Sequence, residues 1–228
     1  MLFSRDNPEA ASLVDPLHWM QKHTKTQDEQ DKLNPYKPFP DRPYFHAVKE
    51  LWDSEQVLMI EKSRTMMISW LIAGFCFHQI ASFQPSKCIF WSDTEAHAQT
   101  PLNYCWTLWE QSASFLQARW QLDRPRKQQS ETRLELKDGG QLIALPGKNP
   151  EAIRSEHPSI VVIDEASLVE SFKAAYSIAV ATKVPKIVCI ATAYPSDFRT
   201  VTKPAKPCSW PRAGTKLGES LKARTDKA

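Results

Sequence analysis

Four short and almost uninterrupted apolar segments constrain the fold of this chain more than any other feature. They lie at 57–61, 87–92, 159–164 and 186–192, with the sequences VLMIE, KCIFWS, SIVVID and KIVCIAT. Strands that are covered on both faces have this composition, whereas strands with one face in water alternate between apolar and polar residues. Segments with helical periodicity separate the four runs. The sequence therefore predicts the α/β class, with a parallel sheet flanked by helices.

The clearest helical periodicity lies at 102–120 and 168–179, where apolar residues recur at intervals of three and four. Thr100 is the predicted N-cap of the first of these helices, with Pro101 at its first helical position. The segment 132–145 (TRLEL-KDGG-QLIAL) predicts a hairpin that turns at its Asp-Gly-Gly sequence. A capping-box pattern also occurs upstream, in SDTEAHA.

The composition is that of a folded, soluble protein. Of the 228 residues, 42% are hydrophobic and 24% are charged. The longest apolar run is far shorter than the ~18 residues that a membrane helix needs, and the start of the sequence, MLFSRDNPEA, has no apolar signal core. Five cysteines are scattered without metal-binding spacing, which is typical of reduced thiols in a cytosol. We therefore predict neither secretion nor a membrane partner.

Composition divides the chain into three parts. Residues 1–43 are polar and end in proline-rich sequence, which predicts an N-terminal arm without regular structure. Residues 44–195 contain the apolar runs and the helical periodicity, and form the predicted folded domain. Residues 196–228 carry eight Lys and Arg against three Asp and Glu and lack apolar periodicity, which predicts a disordered basic tail.

The third apolar run ends in two adjacent carboxylates, Asp164 and Glu165. The carboxyl end of a buried parallel strand is where α/β proteins place their ligands. One acid at this position can hold Mg²⁺ while its neighbour activates a water for attack on phosphorus. The alternative is that both residues only begin the next helix, since acids favour helix N-termini.

The segment EKSRTMMISW, at 61–70, follows the first apolar run and precedes a helix, as a phosphate-binding loop does. Its cations are Lys62 and Arg64, and Ser69 would be a Mg²⁺ ligand. It contains no glycine, which normally lets such a loop curl around phosphate. The alternative is a buried helix with a basic first turn and Ser69 as its N-cap. Cations are disfavoured at a helix N-terminus, however, unless an anion shares the site. Thr192, at the end of the last run, is either a γ-phosphate sensor or an ordinary strand exit.

Three of the predicted strands follow the layout of an ATPase. The first is followed by a basic loop and a hydroxyl, the second ends in Asp-Glu, and the third ends in a hydroxyl. At this level the chain resembles the large subunit of tailed-phage DNA-packaging terminases. The resemblance runs from about Pro38 to Pro195 and rests on these stretches: PFPDRPY, KSRTMMISW, FWSDTEAHA, IALPGKNPEAIRSEHPSIVVIDEA and IATAYP. It implies a P-loop NTPase-like domain at 44–195 that uses ATP and Mg²⁺.

The resemblance also implies roles for individual residues. Glu165 would be the catalytic base and Arg154 an arginine that acts on a neighbouring subunit, although Arg154 has the simpler alternative of pairing with Glu151 or Glu156. Mg²⁺ would be held by Ser69 and Asp164. The residues expected to bind the nucleotide are Lys62, Ser63, Arg64, Ser69 and Thr192. An adenine contact from Phe39 or Tyr44 is a further implication. The implied partners are double-stranded DNA, a terminase small subunit, a portal protein and further copies of the chain in a ring, in the host cytoplasm.

Two departures from the family pattern leave other functions open. Thr65 and Met67 stand where the family commonly has glutamine and often glycine. The nuclease domain that follows in the family is not expected here, because the last 33 residues contain only three acids. We therefore expect the packaging ATPase half alone. The alternatives are a truncated remnant that only binds DNA, or another nucleic-acid translocase.

Overall fold

The computed structural model describes residues 8–83, 86–192, 198, 206–210 and 221–226. Within these residues, helices and strands alternate along most of the chain, as the sequence predicts. The helices are α1 (Pro8–Val14), α2 (Pro16–His23), α3 (Pro43–Ser54), α4 (Ile68–Ser82), α5 (Glu95–Glu110), α6 (Ser114–Arg119), α7 (Glu151–Glu156) and α8 (Phe172–Ala181), with a short 3₁₀ helix at Arg126–Gln128.

The described strands are β1 (Lys25–Gln27), β2 (Tyr36–Pro38), β3 (Val57–Lys62), β4 (Lys87–Ser92), β5 (Arg133–Glu135), β6 (Gln141–Pro146), β7 (Ile160–Ile163), β8 (Lys186–Thr192), β9 (Lys206–Trp210) and β10 (Leu221–Asp226). β1 pairs with β2, and the others form a sheet in the order β5-β6-β4-β7-β8-β3-β10-β9. Its central strands, from β6 to β3, are parallel, which confirms the α/β class. β5 and β6 form the predicted antiparallel hairpin, with Gly139 at a φ of 93° in its turn.

Both faces of the parallel strands are covered, which explains why the apolar runs are almost uninterrupted. Successive side chains of a strand point to opposite faces of its sheet. In β3, Leu58 and Ile60 pack on the side of α3, α4 and α5, whereas Val57 and Met59 pack on the side of α7 and α8. Full burial of side chains of this size contributes about 1.5–3 kcal/mol each. The sheet is thereby a well-packed frame for the strand ends that carry the candidate site.

The N-terminal segment is not the arm without regular structure that the sequence predicts. Asp15 caps α2 by accepting hydrogen bonds from the backbone N–H groups of Leu17 and His18, and Met20 is fully buried. A Cβ on Gly74 would lie 2.3 Å from the Met20 sulfur, so the glycine leaves the space in which α2 packs on α4. The prediction missed α2 because eight residues are too few to show helical periodicity.

Two segments of the tail that the sequence predicts to be disordered are strands in the structure. β10 pairs antiparallel with β3, and β9 pairs antiparallel with β10. The sequence of β10, LKARTD, alternates charged residues with smaller or apolar ones, as a strand with one face in water does. That alternation is too short to stand out in a basic tail. The predicted boundary at 195 and the last three residues of IATAYP lie outside the described residues.

The helix predicted at 102–120 is two helices, α5 and α6, and it begins earlier than expected. Thr94 is the N-cap of α5 and accepts a hydrogen bond from the backbone N–H of His97. Pro101 lies inside the helix, where it removes one backbone hydrogen bond. The prediction failed because proline is a strong signal for a helix start. The prediction of a capping box that begins at Ser92 is also wrong, because Ser92 is the last residue of β4.

A buried histidine ties α4 to the N-terminal segment and makes stability depend on pH. His78 Nε2 lies 3.0 Å from the backbone oxygen of Ser12. Burial lowers the pKa of His78 to about 4, whereas an unfolded histidine titrates near 6.5. Protonation therefore favours the unfolded chain, and the stability is fully present above pH ~6.5 and lost as the pH falls towards 4. We expect this loss to reach about 3 kcal/mol.

Urea unfolding of the parent and of His78→Gln between pH 4 and 8 checks this expectation. Glutamine keeps a donor for the Ser12 oxygen but does not titrate. The free energy of unfolding should therefore fall more steeply below pH 6.5 in the parent than in the variant. Parallel curves for the two proteins would contradict it.

Candidate nucleotide-binding site

A cleft opens at the carboxyl ends of β3 and β7, at the edge where open parallel sheets place their ligands. Its walls are the loop after β3, the first turn of α4, one face of α5 and the turn after β7, and its volume is about 550 Å³. A cavity of this size suits a small-molecule ligand. β8 lies between β3 and β7 in the sheet, so the ends of three strands meet beside the cleft.

Two side chains, Lys62 at the end of β3 and Thr192 at the end of β8, converge on the carboxylate of Glu165, which follows β7. Lys62 pairs in register with Thr192 across β3 and β8. The Lys62 Nζ lies 3.2 Å from Glu165 Oε1, and the Thr192 hydroxyl donates to Glu165 Oε2 at 3.1 Å. Lys62 is only 9% exposed, whereas Glu165 is 35% exposed. Thr192 therefore reaches the cleft through Glu165, while Lys62 and Glu165 line it directly.

A hydroxyl and a buried carboxylate meet beside this group. The Ser69 hydroxyl donates to Asp164 Oδ1 at 3.1 Å, as does the backbone N–H of Glu165 at 3.0 Å. Burial raises the pKa of Asp164, and the Glu165 charge adds to this effect. The Lys62 charge and the hydrogen bonds from the Glu165 N–H and the Ser69 hydroxyl lower this pKa. Oxygen donors are what Mg²⁺ prefers, and a cation at this point would favour the charged form of Asp164. The donor set therefore fits Mg²⁺.

This fit does not rest on a preformed cage of acids. Within the described residues, no group of three or more His, Cys, Asp or Glu side chains is placed to hold a metal ion. Mg²⁺ in nucleotide sites is commonly bound by one or two protein ligands together with phosphate oxygens. Ser69 and Asp164 match that pattern.

The loop between β3 and α4 curls through two residues with left-handed backbone although it contains no glycine. Thr65 and Met67 have φ angles of 65° and 57°, in the left-handed region that glycine adopts most easily. The Tyr44 hydroxyl donates to the backbone oxygen of Met66 at 3.2 Å and anchors the loop between them. Thr65 and Met67 are not the residue types that are common in the family that the sequence resembles, but the loop still curls at both positions.

The first turn of α4 has no side-chain cap. Its N-cap residue is Met67, whose side chain makes no capping hydrogen bond. The alternative reading of Ser69 as the N-cap is wrong, because Ser69 is the second helical residue and bonds to Asp164. A helix N-terminus with unsatisfied N–H groups attracts anions. This end of α4 is thus suited to phosphate.

The backbone of Glu165 is also left-handed, with a φ of 48°. Such a conformation costs a non-glycine residue about 1–2 kcal/mol. Flanking hydrogen bonds hold it: the N–H of Asp164 donates to Trp91 O at 3.0 Å, and that of Ala166 donates to Ile190 O at 2.7 Å. Strain of this kind is concentrated at functional sites. Here it directs a carboxylate towards the cleft.

Four of the predicted site residues do not line the cleft, and Thr192 is one of them. Arg64 is exposed and Ser63 is half-exposed in the loop beside it. Arg154 lies in α7, where it is 58% exposed and its guanidinium is 3.5 Å from Glu151 Oε2. The simpler alternative for Arg154 was a pairing with Glu151 or Glu156, and the pairing with Glu151 is present.

The wall formed by α5 was missed by the sequence analysis. His97, Thr100 and Tyr104 line the cleft together, because positions three and four apart share a face of a helix. That spacing was visible in the sequence, but the helix start was placed after His97. Ser92 was also missed: its hydroxyl donates to the backbone oxygen of Asp164 at 3.3 Å, which ties β4 to the acid pair.

The aromatic residues beside the cleft differ from those that the family resemblance implied. Phe39 and Tyr44 are buried in the core. Instead, Trp70 and Tyr104 stack with ring centroids 4.1 Å apart. Burial raises the pKa of Tyr104, and the Asp164 charge adds to that effect.

This aromatic pair separates the cleft from a second cavity of about 500 Å³ and borders both. Part of the second cavity is formed by the turn between β1 and β2. Thr26 lines it and is 5% exposed, and its buried hydroxyl has no partner within the described part of the chain.

The sheet and its cleft define an α/β domain with a ligand site at the carboxyl edge of its parallel strands. The HK97 bacteriophage large terminase matches this fold with a TM-score of 0.56 and 14% identity, over 78% of this chain and 37% of that one. The large terminase ATPase domain of Thermus phage P74-26 matches with a TM-score of 0.57 and 10% identity, over 78% of this chain and 74% of that one. No protein-family model and no curated protein matches the sequence.

The fold of the chain is therefore that of large terminase ATPase domains, as the motifs indicated. At these identities the likeness concerns the fold alone. The chain spans 37% of the length of the HK97 protein. Within its described part, no helix has the length and apolar character needed to span a membrane.

Proposed function

We propose that this domain is a Mg²⁺-dependent ATPase and the motor of a phage terminase large subunit. The observation that carries the proposal is the convergence of Lys62, Thr192 and Glu165 from three adjacent strands, beside the Ser69–Asp164 pair. These residues supply a cation, a base and a metal-binding pair in the cleft and a hydroxyl behind the base, which are groups that phosphoryl transfer to water uses.

Each group has a defined task in this mechanism. Lys62 leaves Glu165 and binds phosphate oxygens when the nucleotide enters. The freed Glu165 orients a water and takes its proton as the oxygen attacks the γ-phosphorus and the bond to the leaving ADP breaks. Thr192, still hydrogen-bonded to Glu165, couples the state of this carboxylate to β8. Mg²⁺, held by Ser69 and Asp164, would neutralise phosphate charge when bound.

The nucleoside half of ATP fits the side of the cleft at Trp70 and Tyr104. Aromatic stacking favours a planar base, and stacking on an aromatic side chain contributes about 1–3 kcal/mol per base. The base contact therefore comes from these residues in place of Phe39 or Tyr44.

The biological task that we propose is the packaging of double-stranded DNA into a capsid. It is supported by the shared fold with two phage large terminases. In this function the chain works in the host cytoplasm as a homo-oligomeric ring on a portal protein, together with a terminase small subunit. Another nucleic-acid translocase would share the ATPase chemistry but would not need the portal.

ATP turnover by the purified chain, with and without double-stranded DNA and with and without Mg²⁺, tests the proposal. We expect hydrolysis that requires Mg²⁺ and rises with DNA. Lys62→Ala should weaken nucleotide binding about tenfold or more, because a hydrogen bond to a charged group contributes about 1.5–3 kcal/mol. Lys49→Ala is the matched control, since Lys49 also pairs with a carboxylate, that of Asp53, but lies on α3 outside the cleft.

Equal loss of binding in the two lysine variants would contradict the site. A folded chain that binds DNA without hydrolysing ATP would instead support the inactive remnant. Turnover that rises with DNA but fails to drive DNA into empty capsids would favour the other translocase.

A further inference from the structure

His97 faces the cleft from α5 and pairs with Asp93, the residue before the N-cap of that helix; neither has a role in the mechanism above. His97 Nδ1 lies 2.6 Å from Asp93 Oδ1, and His97 lines the same cavity as Lys62 and Ser69. Burial opposes ionisation of Asp93, but hydrogen bonds from His97 and from the backbone N–H of Thr94 outweigh it and lower the pKa of Asp93. Asp93 is therefore an acceptor for the Nδ1 proton, which leaves Nε2 as the ring nitrogen for a ligand.

Ser92 connects the His97–Asp93 pair to the end of β7, where Asp164 lies. The Ser92 hydroxyl lies 3.3 Å from Asp93 Oδ1 and 3.3 Å from the backbone oxygen of Asp164. Ser92 thus links Asp93, the partner of the 60% exposed His97, to the backbone of Asp164.

The charge of the cleft calls for a further cation. Among the described residues that line it, Lys62 is the one lysine or arginine, and it faces the carboxylates Asp164 and Glu165. Lys62 also pairs with Glu165. A nucleoside triphosphate adds several negative charges, which a single lysine does not balance.

We propose that protonated His97 is a second phosphate-binding cation of this cleft and that Asp93 positions it. The His97 Nε2–H donates to a phosphate oxygen from the α5 wall, while Lys62 binds from the loop side. The inference rests on the proposed function, because its ligand is the same nucleotide. Histidine is the side-chain type whose charge changes between about pH 5 and 8, so a pH series distinguishes such a contact from that of a lysine. The other titratable groups that line the cleft are Lys62, Tyr104, Asp164 and Glu165.

The test compares the dissociation constants of ATP and of inorganic triphosphate for the parent and for His97→Gln, from pH 5.5 to 8.5 without Mg²⁺. We expect the variant to bind both ligands about tenfold more weakly at pH 5.5 and equally well at pH 8.5. Titration of the ligand and of the other cleft residues is common to both proteins and cancels in the ratio. Triphosphate should show the same ratio as ATP, since the contact is to phosphate.

The chain offers a matched control in a second exposed histidine–carboxylate pair. His46 Nε2 lies 2.8 Å from Asp41 Oδ1, and neither residue lines the cleft. His46→Gln should leave the affinity unchanged at every pH. Asp93→Asn should lose part of the low-pH affinity, and His97→Lys should keep the affinity while removing its pH dependence.

The outcomes separate this inference from the proposed function. If folded His97→Gln binds triphosphate as the parent does at pH 5.5, His97 is not a phosphate ligand, and the ATPase proposal stands. If His46→Gln reproduces the loss, the effect is not specific to the cleft and the inference fails. If the parent binds neither ATP nor triphosphate, both proposals fail together.

Discussion

We expect Glu165→Gln to hydrolyse ATP at least ~10²-fold more slowly than the parent while it binds ATP with similar affinity. Loss of a positioned general base has an effect of this size. Glutamine keeps a carbonyl oxygen that can accept from Lys62 or Thr192, whose donors lie 3.2 and 3.1 Å from the carboxylate. It cannot take a proton from water. Phosphate release and nucleotide binding, measured on the same preparation, check both parts of the expectation.

Two further variants make this result specific. Glu170→Gln changes an exposed acid in the turn after β7 that does not line the cleft, and it should hydrolyse ATP like the parent. Asp164→Ala should instead weaken the Mg²⁺ dependence of nucleotide binding. If Glu165→Gln turns over at the parental rate, the base is another group and the site assignment is wrong.

The fold was predictable wherever a segment satisfies a single strong requirement. β4 and β8 match the predicted runs residue for residue, because a strand covered on both faces must be apolar throughout. α2 was not predictable in the same way. Its burial depends on the space above Gly74 on α4, and a contact between distant segments leaves no periodic signal in either of them.

The same distinction applies to the candidate site, where some features follow from the sequence of one segment and others depend on packing between segments. The position of Asp164 and Glu165 beside the cleft follows from their place at the end of an apolar strand, and Ser69 lies 3.1 Å from Asp164. Their roles in catalysis and in metal binding stay predictions. The left-handed φ angles of Thr65 and Met67 were not predictable, because these residue types disfavour that conformation. Only the packing around the loop imposes it.

Arg154→Ala should bind ATP normally and yet lower its turnover by ~10³-fold, because a guanidinium that stabilises the transferring phosphoryl group has an effect of this size. Arg154 does not line the cleft of its own chain. It lies in α7, just before the strand that carries Asp164, with 58% of its side chain exposed. Its ion pair with Glu151 is long and exposed, and such pairs contribute little. We propose that it enters the cleft of a neighbouring subunit in an assembled ring, and turnover per subunit should then rise with protein concentration.

Mixing two inactive variants tests whether this arginine acts on the neighbour. A ring that contains both Arg154→Ala and Glu165→Gln subunits has interfaces at which an intact Glu165 meets an intact Arg154, about a quarter of all interfaces in a random equal mixture of head-to-tail subunits. Partial recovery of ATP turnover is therefore expected on mixing. Arg124→Ala is the matched control, because Arg124 is an exposed arginine with a carboxylate partner, Asp123, outside the cleft, and it should retain parental turnover. If the mixed proteins are folded and assembled but stay inactive, Arg154 does not act across the interface, and its contact with Glu151 is its whole role.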